Sequence, residues 1–276
     1  MNSTPKVALV TGTSSGFGKA TAAVLAAHGF RVFGTSRTPA TRGSASYEIL
    51  SLDVRLEMSV QECIETVLQR AGRIDLLVNN AGYALGGALE ENTVSDAQAQ
   101  FDTNVFGALR LINAVLPIMR RQGVGQIISV SSLLGVVALP YLTLYSSSKF
   151  ALEGMMEGLR SEVRPFNITV SLVEPAFFKT NFAVQAPGRP LADYAPFRES
   201  VLQDVSRAVE QGPDPEQVAR AILRVVTTPR PRLRYRIGPR ANLLVGLRQL
   251  LPASLFEGMY RRIFHLDSTV IPTPSS

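Results

Sequence analysis

The sequence predicts an α/β fold in which helices cover both faces of a parallel sheet, and three observations support this prediction. The chain has 276 residues, enough for one large domain, and 46% of them are hydrophobic, enough for a sizeable core. Short apolar runs alternate with helix-length periodic segments through the first half, as in successive βαβ units. This composition excludes a disordered chain, a collagen and a coiled coil.

Short apolar segments mark the predicted strands, and helices are predicted between them. Gly29 and Gly72 end the first two helices, because glycine readily adopts the backbone conformation found just after a helix. The strands are predicted at 6–10, 31–35, 49–52, 76–79, 126–130, 168–173 and 234–237, and the helices at 16–28, 57–71, 105–121, 145–164 and 214–226.

Two further segments complete the predicted organisation. Residues 1–240 form the α/β domain, and within it 177–212 combine several prolines with scattered aromatic residues. This stretch is too broken for one regular element and too apolar for a linker, so we predict a lid over a substrate site. Residues 241–276 are predicted to form an extension of two short helices, broken at Pro252, with a frayed end at 268–276.

Positive charge is concentrated near the end of the chain. The net charge is +6, and ten arginines face two acidic residues from Arg220 onward. We interpret this basic segment as a solvated face around a late strand, with peripheral contact to anionic lipid as the alternative. Nucleic acid is disfavoured, because no aromatic-interleaved basic stripe, zinc-ligand spacing or helix-turn-helix signal accompanies the arginines.

Cysteine and histidine usage bears on compartment and metal content. Cys63 is the single cysteine, and no charged-then-apolar leader precedes Lys6, so we expect a cytoplasmic protein without disulfides. No apolar run approaches the ~18 residues of a membrane-spanning helix. His28 and His265 are the only histidines, which leaves no zinc ligand set and predicts no metal site.

A glycine-rich segment follows the first predicted strand directly. Gly12, Gly16 and Gly18 give the pattern G-x-x-x-G-x-G between that strand and an alanine-rich helix. A tight turn at a helix N-terminus brings backbone N–H groups close to a pyrophosphate. We therefore predict a dinucleotide-binding turn, and its remaining candidate contacts are Ser14, Ser15 and Phe17.

The end of the second strand bears on which dinucleotide is bound. An acidic residue at this point binds a ribose 2′-hydroxyl, and a basic one accepts a 2′-phosphate. Here the sequence is Thr35-Ser36-Arg37-Thr38, without a carboxylate. Arg37 and the hydroxyl of Ser36 can bind a phosphate, so NADP(H) is favoured over NAD(H); a surface arginine in a turn is the alternative.

Tyr145 and Lys149 are four residues apart at a predicted helix start. This spacing places both side chains on one helical face. A neighbouring ammonium group favours the phenolate and brings the pKa of a tyrosine closer to the working range of acid-base catalysis. The pair alone also fits a packing tyrosine beside a solvated lysine.

Taken together, these motifs resemble the short-chain dehydrogenase/reductase family over residues 6–240. The resemblance implies a Rossmann-type doubly wound sheet of about seven strands. It also selects Ser132, thirteen residues before Tyr145, as the serine that holds the substrate oxygen. Further matching residues are Asp53 and Val54 after the third strand, Asn80, Ala81 and Gly82 after the fourth, Asn104, Pro175 and Thr180.

The resemblance also implies a role for each of these residues. Tyr145 would be the general acid in reduction and the base in oxidation, and Lys149 would lower its pKa and bind the nicotinamide ribose. Asn104 would position a water that links Lys149 to solvent. Asp53 and Val54 would contact the adenine, residues 80–82 would line the cofactor, and Thr180, following Pro175, would meet the carboxamide. Ala176 stands where the family has a glycine, which puts this last contact in doubt.

The predicted function is that of an NADP(H)-dependent ketoreductase acting on a carbonyl or alcohol. A lipophilic substrate, such as a steroid, a retinoid or a long-chain keto compound, is favoured by the apolar residues after Ser132, after Gly82 and in the lid. An NAD-dependent alcohol dehydrogenase and a non-catalytic nucleotide-binding sensor are the alternatives. By resemblance, the two long helices make the protein a homodimer or homotetramer.

Overall fold

A computed structural model of the protein describes residues 4–38, 46–180, 182 and 184–263, so the predicted frayed end at 268–276 lies outside the described residues. Within them, each of the seven predicted strands is present and confirmed. The strands are β1 (Val7–Val10), β2 (Arg31–Ser36), β3 (Glu48–Ser51), β4 (Leu76–Asn79), β5 (Ala84–Leu85), β6 (Gly125–Val130), β7 (Ile168–Pro175), β8 (Val184–Gln185) and β9 (Arg234–Ile237).

In the described chain, seven of these strands form one parallel sheet in the order β3-β2-β1-β4-β6-β7-β9, and β5 pairs with β8 in a separate ribbon. The chain moves outward from β1 to β2 and β3, then returns to β4 on the other side of β1. This reversal makes a doubly wound sheet, and ligands of such sheets bind at the crevice beyond the carboxyl ends of β1 and β4. The predicted fold class is confirmed.

The helices that accompany the sheet lie close to their predicted positions. A π-helical turn, Asp102–Phe106, joins two of them into one long helical segment. The helices are α1 (Gly16–Ala27), α2 (Glu57–Ala71), α3 (Val94–Phe101), α4 (Gly107–Gln122), α5 (Thr143–Val163), α6 (Ala195–Glu210), α7 (Glu216–Thr227), α8 (Ala241–Leu250) and α9 (Ala253–Ile263).

The third predicted helix, 105–121, is present as α4, but the prediction missed α3 and the π-helical turn before it. The helical segment begins at Val94, where the Thr93 side chain accepts a hydrogen bond from Asp96 N and the Asp96 carboxylate accepts one from Thr93 N. This reciprocal capping satisfies free N–H groups and starts a helix.

Both faces of the sheet are covered, and alternate residues of each strand face opposite sides. Val7 and Leu9 of β1 pack in a core with α2, α4 and α5, whereas Ala8 and Val10 pack in a second core with α1 and α7. Burial on both faces explains why the strands read as continuous apolar runs rather than alternating ones.

The segment 177–212 is more regular than the sequence predicted. It contains α6, which buries Val201 and Val205, although 177–212 looked too broken for a regular element. Pro196 lies in the first turn of α6, where proline lacks only an N–H that has no partner within the helix. The rest of the segment adds β8 to β5 at the carboxyl end of the sheet.

The two predicted helices after residue 240 are present as α8 and α9. Ala241 and Val245 bury one face of α8 against Leu133, the residue that follows Ser132. No helix among the described residues has the length and hydropathy needed to cross a membrane.

The interpretation of the arginine-rich segment as a solvated face was wrong for two of its members. Arg234 and Arg236 on β9 form ion pairs with Glu153 and Glu174, two carboxylates that are nearly or fully buried. Sequence position alone cannot reveal these pairs, because the carboxylates lie on α5 and β7, about 60 to 80 residues away in the chain.

Candidate active site

The glycine-rich segment forms a tight turn between β1 and α1. Gly12 and Gly16 have φ values of +69° and +54°, which favour glycine. A Cβ atom on Gly18 would lie only 2.2 Å from the carbonyl oxygen of Gly12. The three glycines therefore permit a backbone path that side chains would block.

Residues after β4 brace this turn from the neighbouring strand. The Asn80 side-chain amide donates hydrogen bonds to the carbonyl oxygens of Thr11, at 2.8 Å, and Gly12, at 3.2 Å. The Thr11 hydroxyl accepts from the backbone N–H groups of Asn80 and Ala81, both at 2.9 Å. Asn80 thus fixes the shape of the turn, in addition to its predicted place along the cofactor.

The start of α1 suits an anion. Ser15 precedes the helix and makes no side-chain capping hydrogen bond, and no acidic residue lies in the first turn. Free N–H groups and the helix dipole favour negative charge at such an end. Thr180 faces this position, since a Cβ on Gly16 would lie 3.5 Å from its side chain.

Arginines surround the carboxylate beyond the second and third strands. Asp53 accepts hydrogen bonds from the Arg55 guanidinium, with Nη2 at 2.6 Å, and this contact lowers the pKa of Asp53. Arg37, exposed just after β2, adds to the lowering through its charge. Two arginines and one aspartate leave a net positive charge here. The Val54 side chain packs against Gly107, in space that the missing side chain of this glycine leaves free.

Tyr145, Ser132 and Lys149 come together at the carboxyl end of β6. Tyr145 is 8% exposed and Lys149 is 6% exposed, and both lie in the first part of α5. The Ser132 side chain acts on the Tyr145 hydroxyl as a hydrogen-bond partner. Lys149 Nζ donates to the Val130 carbonyl at 2.9 Å and lies 5.8 Å from the centroid of the Tyr145 ring.

Burial dominates the electrostatics of this cluster. Burial raises the pKa of Tyr145 to about 12, while the hydrogen bond with Ser132 acts in the opposite direction. Burial also lowers the pKa of Lys149 to about 8. Burial therefore opposes both the phenolate of Tyr145 and the ammonium ion of Lys149, and the lowering of the tyrosine pKa by Lys149 stays a prediction.

Asn104 lies in the π-helical turn and reaches the same site from another side. Its amide donates to the Tyr83 carbonyl and to the Ser148 hydroxyl, both at 3.0 Å. The Ser148 hydroxyl in turn donates to the Tyr145 carbonyl at 2.7 Å. Turns of this kind recur at functional sites. Sequence reasoning missed Ser148, although its place one turn after Tyr145 on α5 was a usable signal.

Apolar side chains surround the Tyr145 ring. Leu134, Leu139 and Leu142 from the segment after Ser132 pack around it together with Ala84. From the lid, Phe177, Val184, Leu202 and Val205 join this cluster, and the ring of Phe182 lies 5.6 Å from that of Tyr145. Other residues predicted for this wall pack elsewhere, namely Leu133 and Val136 under α8 and Phe178 beside α7.

Comparison with known proteins agrees with this geometry. The profile of the short chain dehydrogenase family matches residues 6–188. The chain belongs to the short-chain dehydrogenase family. It is therefore an oxidoreductase that binds a dinucleotide and acts on a small molecule.

The names of two relatives of this dehydrogenase refer to lipophilic compounds. It is 40% identical to a 3-ketodihydrosphingosine reductase from Bacteroides thetaiotaomicron over 87% of this chain and 90% of the relative. It is 34% identical to retinol dehydrogenase 8 from Bos taurus over 96% of this chain and 91% of that protein.

Solved structures share its fold. A short-chain dehydrogenase from Streptomyces avermitilis has 37% identity and a TM-score of 0.80, covering 97% of this chain and 100% of the other. ElxO with NADP bound has 26% identity and a TM-score of 0.70, covering 84% and 97%. A Burkholderia phymatum family member in complex with NAD shares the fold at 24% identity and a TM-score of 0.79, covering 98% of each chain.

The residues of the dehydrogenase fit a dinucleotide. The close approach of Gly12 to Gly18 leaves backbone accessible at the start of α1, where Ser15 and Gly16 would hold the pyrophosphate. Ser14 and Phe17 lie in the same turn. Asp53 would hold the adenine end, while Ala81 and Gly82 would line the crevice between β1 and β4.

The family's Pro-Gly pair reads Pro175-Ala176 in this dehydrogenase, and the structure shows what the alanine contacts. Its N–H donates to the Ile237 carbonyl at 2.9 Å, and its methyl group packs where Gly238 leaves room. Ala176 also joins the cluster under α8. The alanine is thus accommodated, and Thr180 still faces Gly16.

Proposed function

We propose that this protein is an NADP(H)-dependent reductase or dehydrogenase for a lipophilic carbonyl or alcohol. One observation carries the proposal. Tyr145 lies within a cluster of apolar side chains contributed by both the sheet end and the lid. Ser132 is the hydrogen-bond partner of its hydroxyl, and Lys149 lies one helical turn further along α5.

Tyr145 and Ser132 would handle the substrate oxygen. With a pKa of about 12, the Tyr145 hydroxyl is protonated at neutral pH and ready to donate its proton to a carbonyl oxygen. Ser132 would hold the same oxygen through its hydroxyl. The bound nicotinamide would supply or accept the hydride. In oxidation, Tyr145 would take the proton of the alcohol instead.

Lys149 would serve the tyrosine and the ribose together. An ammonium group has three N–H donors, and the described contacts of Lys149 use one of them on the Val130 carbonyl. Its other donors would be available to ribose hydroxyls and to a water near Asn104. The amide of Asn104 is fixed by Tyr83 and Ser148, which would keep that water in place.

The charges beyond β2 support NADP(H) over NAD(H). The Asp53 carboxylate is neutralised by Arg55, and Arg37 stands exposed beside it. A 2′-phosphate would therefore meet a net positive charge, and Ser36 lies next to Arg37 to add a hydroxyl. Charge-assisted hydrogen bonds to phosphate are among the stronger polar contacts.

An assay with the purified full-length protein tests this proposal. NADPH and NADH would each be combined with ketones and aldehydes ranging from short hydroxy acids to retinoid and long-chain keto compounds, and nicotinamide absorbance followed. We expect NADPH oxidation with the lipophilic members. Failure of every carbonyl and alcohol, with both cofactors bound, would support the non-catalytic alternative.

The long helices support a subunit interface. Phe106, Leu109 and Phe150 are 46%, 38% and 45% exposed, and they lie on the π-helical turn, α4 and α5. We propose that a second copy of this chain covers them, since an apolar surface of this kind usually has a partner. Light scattering should give a dimer or tetramer, which Phe150→Asp should weaken more than Leu89→Asp, an exposed control outside these helices.

A further surface supports contact with anionic lipid. Leu243 and Leu250, 59% and 84% exposed, lie seven residues apart on the outer face of α8, and Leu255 of α9 is 61% exposed. Arg240 and Arg248 flank these leucines. Apolar residues bordered by cations suit an anionic bilayer surface, and we propose such a surface as the occupant.

Vesicle sedimentation tests the lipid contact. We expect the protein to sediment with vesicles containing phosphatidylglycerol but not with pure phosphatidylcholine, and Leu250→Ser to reduce this binding. Met58→Ser is the matched control, because Met58 is 65% exposed on α2. Equal binding by Leu250→Ser and wild type would remove α8 from this role.

A further inference from the structure

A cluster of buried charges lies behind the proposed catalytic lysine. Glu153 on α5 and Glu174 on β7 have side chains that are 7% and 0% exposed. Arg234 Nε lies 2.8 Å from Glu153 Oε2 and 3.5 Å from Glu174 Oε1, and Arg236 Nε lies 3.1 Å from Glu174 Oε2. Carboxylates are rarely buried without such partners.

This cluster continues toward Lys149. Glu153 is one helical turn after Lys149, so both side chains lie on the same buried face of α5. Gly135 packs against both, because a Cβ atom there would lie 3.1 Å from Glu153 Cγ and 3.2 Å from Lys149 Cβ. The other carboxylate oxygen of Glu153, Oε1, is buried and accepts no hydrogen bond from the described residues.

Glu153 has no role in the proposed mechanism. Burying its carboxylate nevertheless carries a free-energy cost. Its ion pair with Arg234 does not require this burial, since Arg234 also binds Glu157, whose side chain is 62% exposed. The feature that distinguishes Glu153 from Glu157 is its place beside Lys149.

We propose that Glu153, anchored by Arg234, is a positioning residue that holds the ammonium charge of Lys149 inside the buried site. The proposal rests on the proposed role of Lys149. Without a negative neighbour, burial would favour the neutral amine, which can neither stabilise a phenolate nor donate three hydrogen bonds.

The other groups around Lys149 do not replace Glu153. From β6 and the turn after it come the Val130 carbonyl and the hydroxyls of Ser131 and Ser132, and Tyr145 faces it from α5. These groups are uncharged at neutral pH. The negative charge of Glu153 raises the pKa of Lys149 against the lowering effect of burial.

Around Glu153 itself, the charged neighbours are Arg234, Glu174 and, through Arg234, Glu157. Burial and the charge of Glu153 raise the pKa of Glu174, while Arg236 opposes this rise. Glu174 therefore yields its charge more readily than an ordinary glutamate. Arg234 Nε lies closer to Glu153 Oε2 than to Glu174 Oε1.

Direct titration of Lys149 tests the proposal, and the composition of the chain makes it practical. The sequence has only four lysines, Lys6, Lys19, Lys149 and Lys179. Selective ¹³C labelling of lysine Cε in the full chain therefore gives few NMR signals, and the one lost in Lys149→Arg belongs to Lys149. We expect Glu153→Gln to lower the pKa of Lys149 by about one unit.

Two more variants make the outcome decisive. Glu157→Gln removes an exposed carboxylate from the same arginine and should leave the Lys149 titration unchanged. Glu153→Met removes the charge but keeps an apolar chain of similar length, which can preserve folding if Glu153→Gln does not. A Lys149 pKa within 0.3 units of wild type in a folded Glu153 variant, roughly a twofold change in proton affinity, would overturn the proposal.

Activity gives a second readout. Once a turned-over substrate is known, kcat of the wild type and of Glu153→Gln is measured against pH. The alkaline limb of the profile should move to lower pH in Glu153→Gln, and its kcat should recover toward that of the wild type at pH about 6. A structural role alone would reduce the rate equally at every pH. If the wild type proves inactive, the proposed function fails, while the NMR titration still decides whether Glu153 holds the charge of Lys149.

Discussion

The proposed cofactor side and the proposed substrate side of the crevice are built in different ways. On the cofactor side, backbone geometry determines the shape, since Gly12 and Gly18 approach each other and Asn80 bonds to the turn through main-chain carbonyls. On the substrate side, the lid is held by side chains. Glu91 is fully buried there, accepting from Leu191 N at 2.8 Å and forming an ion pair with Arg198.

This difference explains why one side could be predicted and the other could not. A turn made by glycines and backbone hydrogen bonds can be recognised from a short run of neighbouring residues. The contact of Glu91 with Arg198 joins residues 107 positions apart and leaves no local pattern. Because the two sides are held by different contacts, we expect substitutions on one side to change cofactor binding and substitutions on the other to change substrate binding.

Loss of the Tyr145 hydroxyl should have the largest effect, because Tyr145 stands where the two sides meet. We expect Tyr145→Phe to lower kcat by about 10² to 10⁴, the usual size of a general acid-base contribution. Its ring should still pack, so the Kd for NADPH should stay within about threefold. Steady-state kinetics and calorimetry measure the two.

Tyr194→Phe is the control for this change. It removes the hydroxyl of a lid residue, which donates to Glu90 away from the reacting atoms. A Tyr145→Phe enzyme with turnover near that of Tyr194→Phe would exclude Tyr145 from proton transfer.

On the cofactor side, Arg37→Asp should weaken NADPH binding by roughly 10- to 150-fold, as expected for loss of one charge-assisted contact. NADH binding should change little, because NADH lacks the 2′-phosphate. Titration calorimetry with both cofactors checks this. Arg121→Asp, an exposed arginine on α4, should have no effect on either. Wild-type protein that binds both cofactors equally would contradict the preference for NADP(H).

On the substrate side, Glu91→Gln should loosen the lid without changing the cofactor side. Breaking a buried ion pair destabilises a structure by about 3 to 5 kcal/mol. Because a loosened lid holds its substrate less well, we expect KM for a lipophilic ketone to rise about tenfold. The Kd for NADPH should not change. Glu65→Gln is the control, since Glu65 is exposed on α2, away from the lid. Equal cleavage of the lid by protease in both variants would show that Glu91 does not hold it.

The smallest expected effect concerns substrate length. Each buried methylene group contributes about 0.8 kcal/mol, so kcat/KM should rise about fourfold per methylene along a series of straight-chain ketones. The series is measured at fixed NADPH with the wild type. A flat series, together with efficient turnover of a sugar or short hydroxy acid, would contradict the lipophilic substrate.

Much of the sheet could be predicted because it is buried on both faces, which produces recognisable apolar runs. The helix α6 was missed because Pro196 was treated as a breaker rather than as a first-turn residue. The spacing of Phe197, Val201 and Val205 was the available signal. In the site, Tyr145 and Lys149 were predictable as a spaced pair, whereas Glu153 was not, since its importance depends on Arg234.

The pKa of Tyr145 shows a related limit of sequence reasoning. The sequence shows that a lysine is near, but not that both groups are buried. Burial is the largest influence on each group, and it raises the pKa of Tyr145 and lowers that of Lys149. The sign of a pKa shift in a crevice therefore needs the burial, which only the fold supplies.

The π-helical turn at 102–106 limits how this helix tolerates insertions and deletions. One residue of an α-helix corresponds to a rotation of about 100°, so deleting one residue here would restore regular pitch and rotate α3 against α4. Gln100 and Asn104, which both hold the Tyr83 carbonyl, could no longer face it while α4 keeps its face on the sheet. A single deletion would thus do more damage than most substitutions in the same segment.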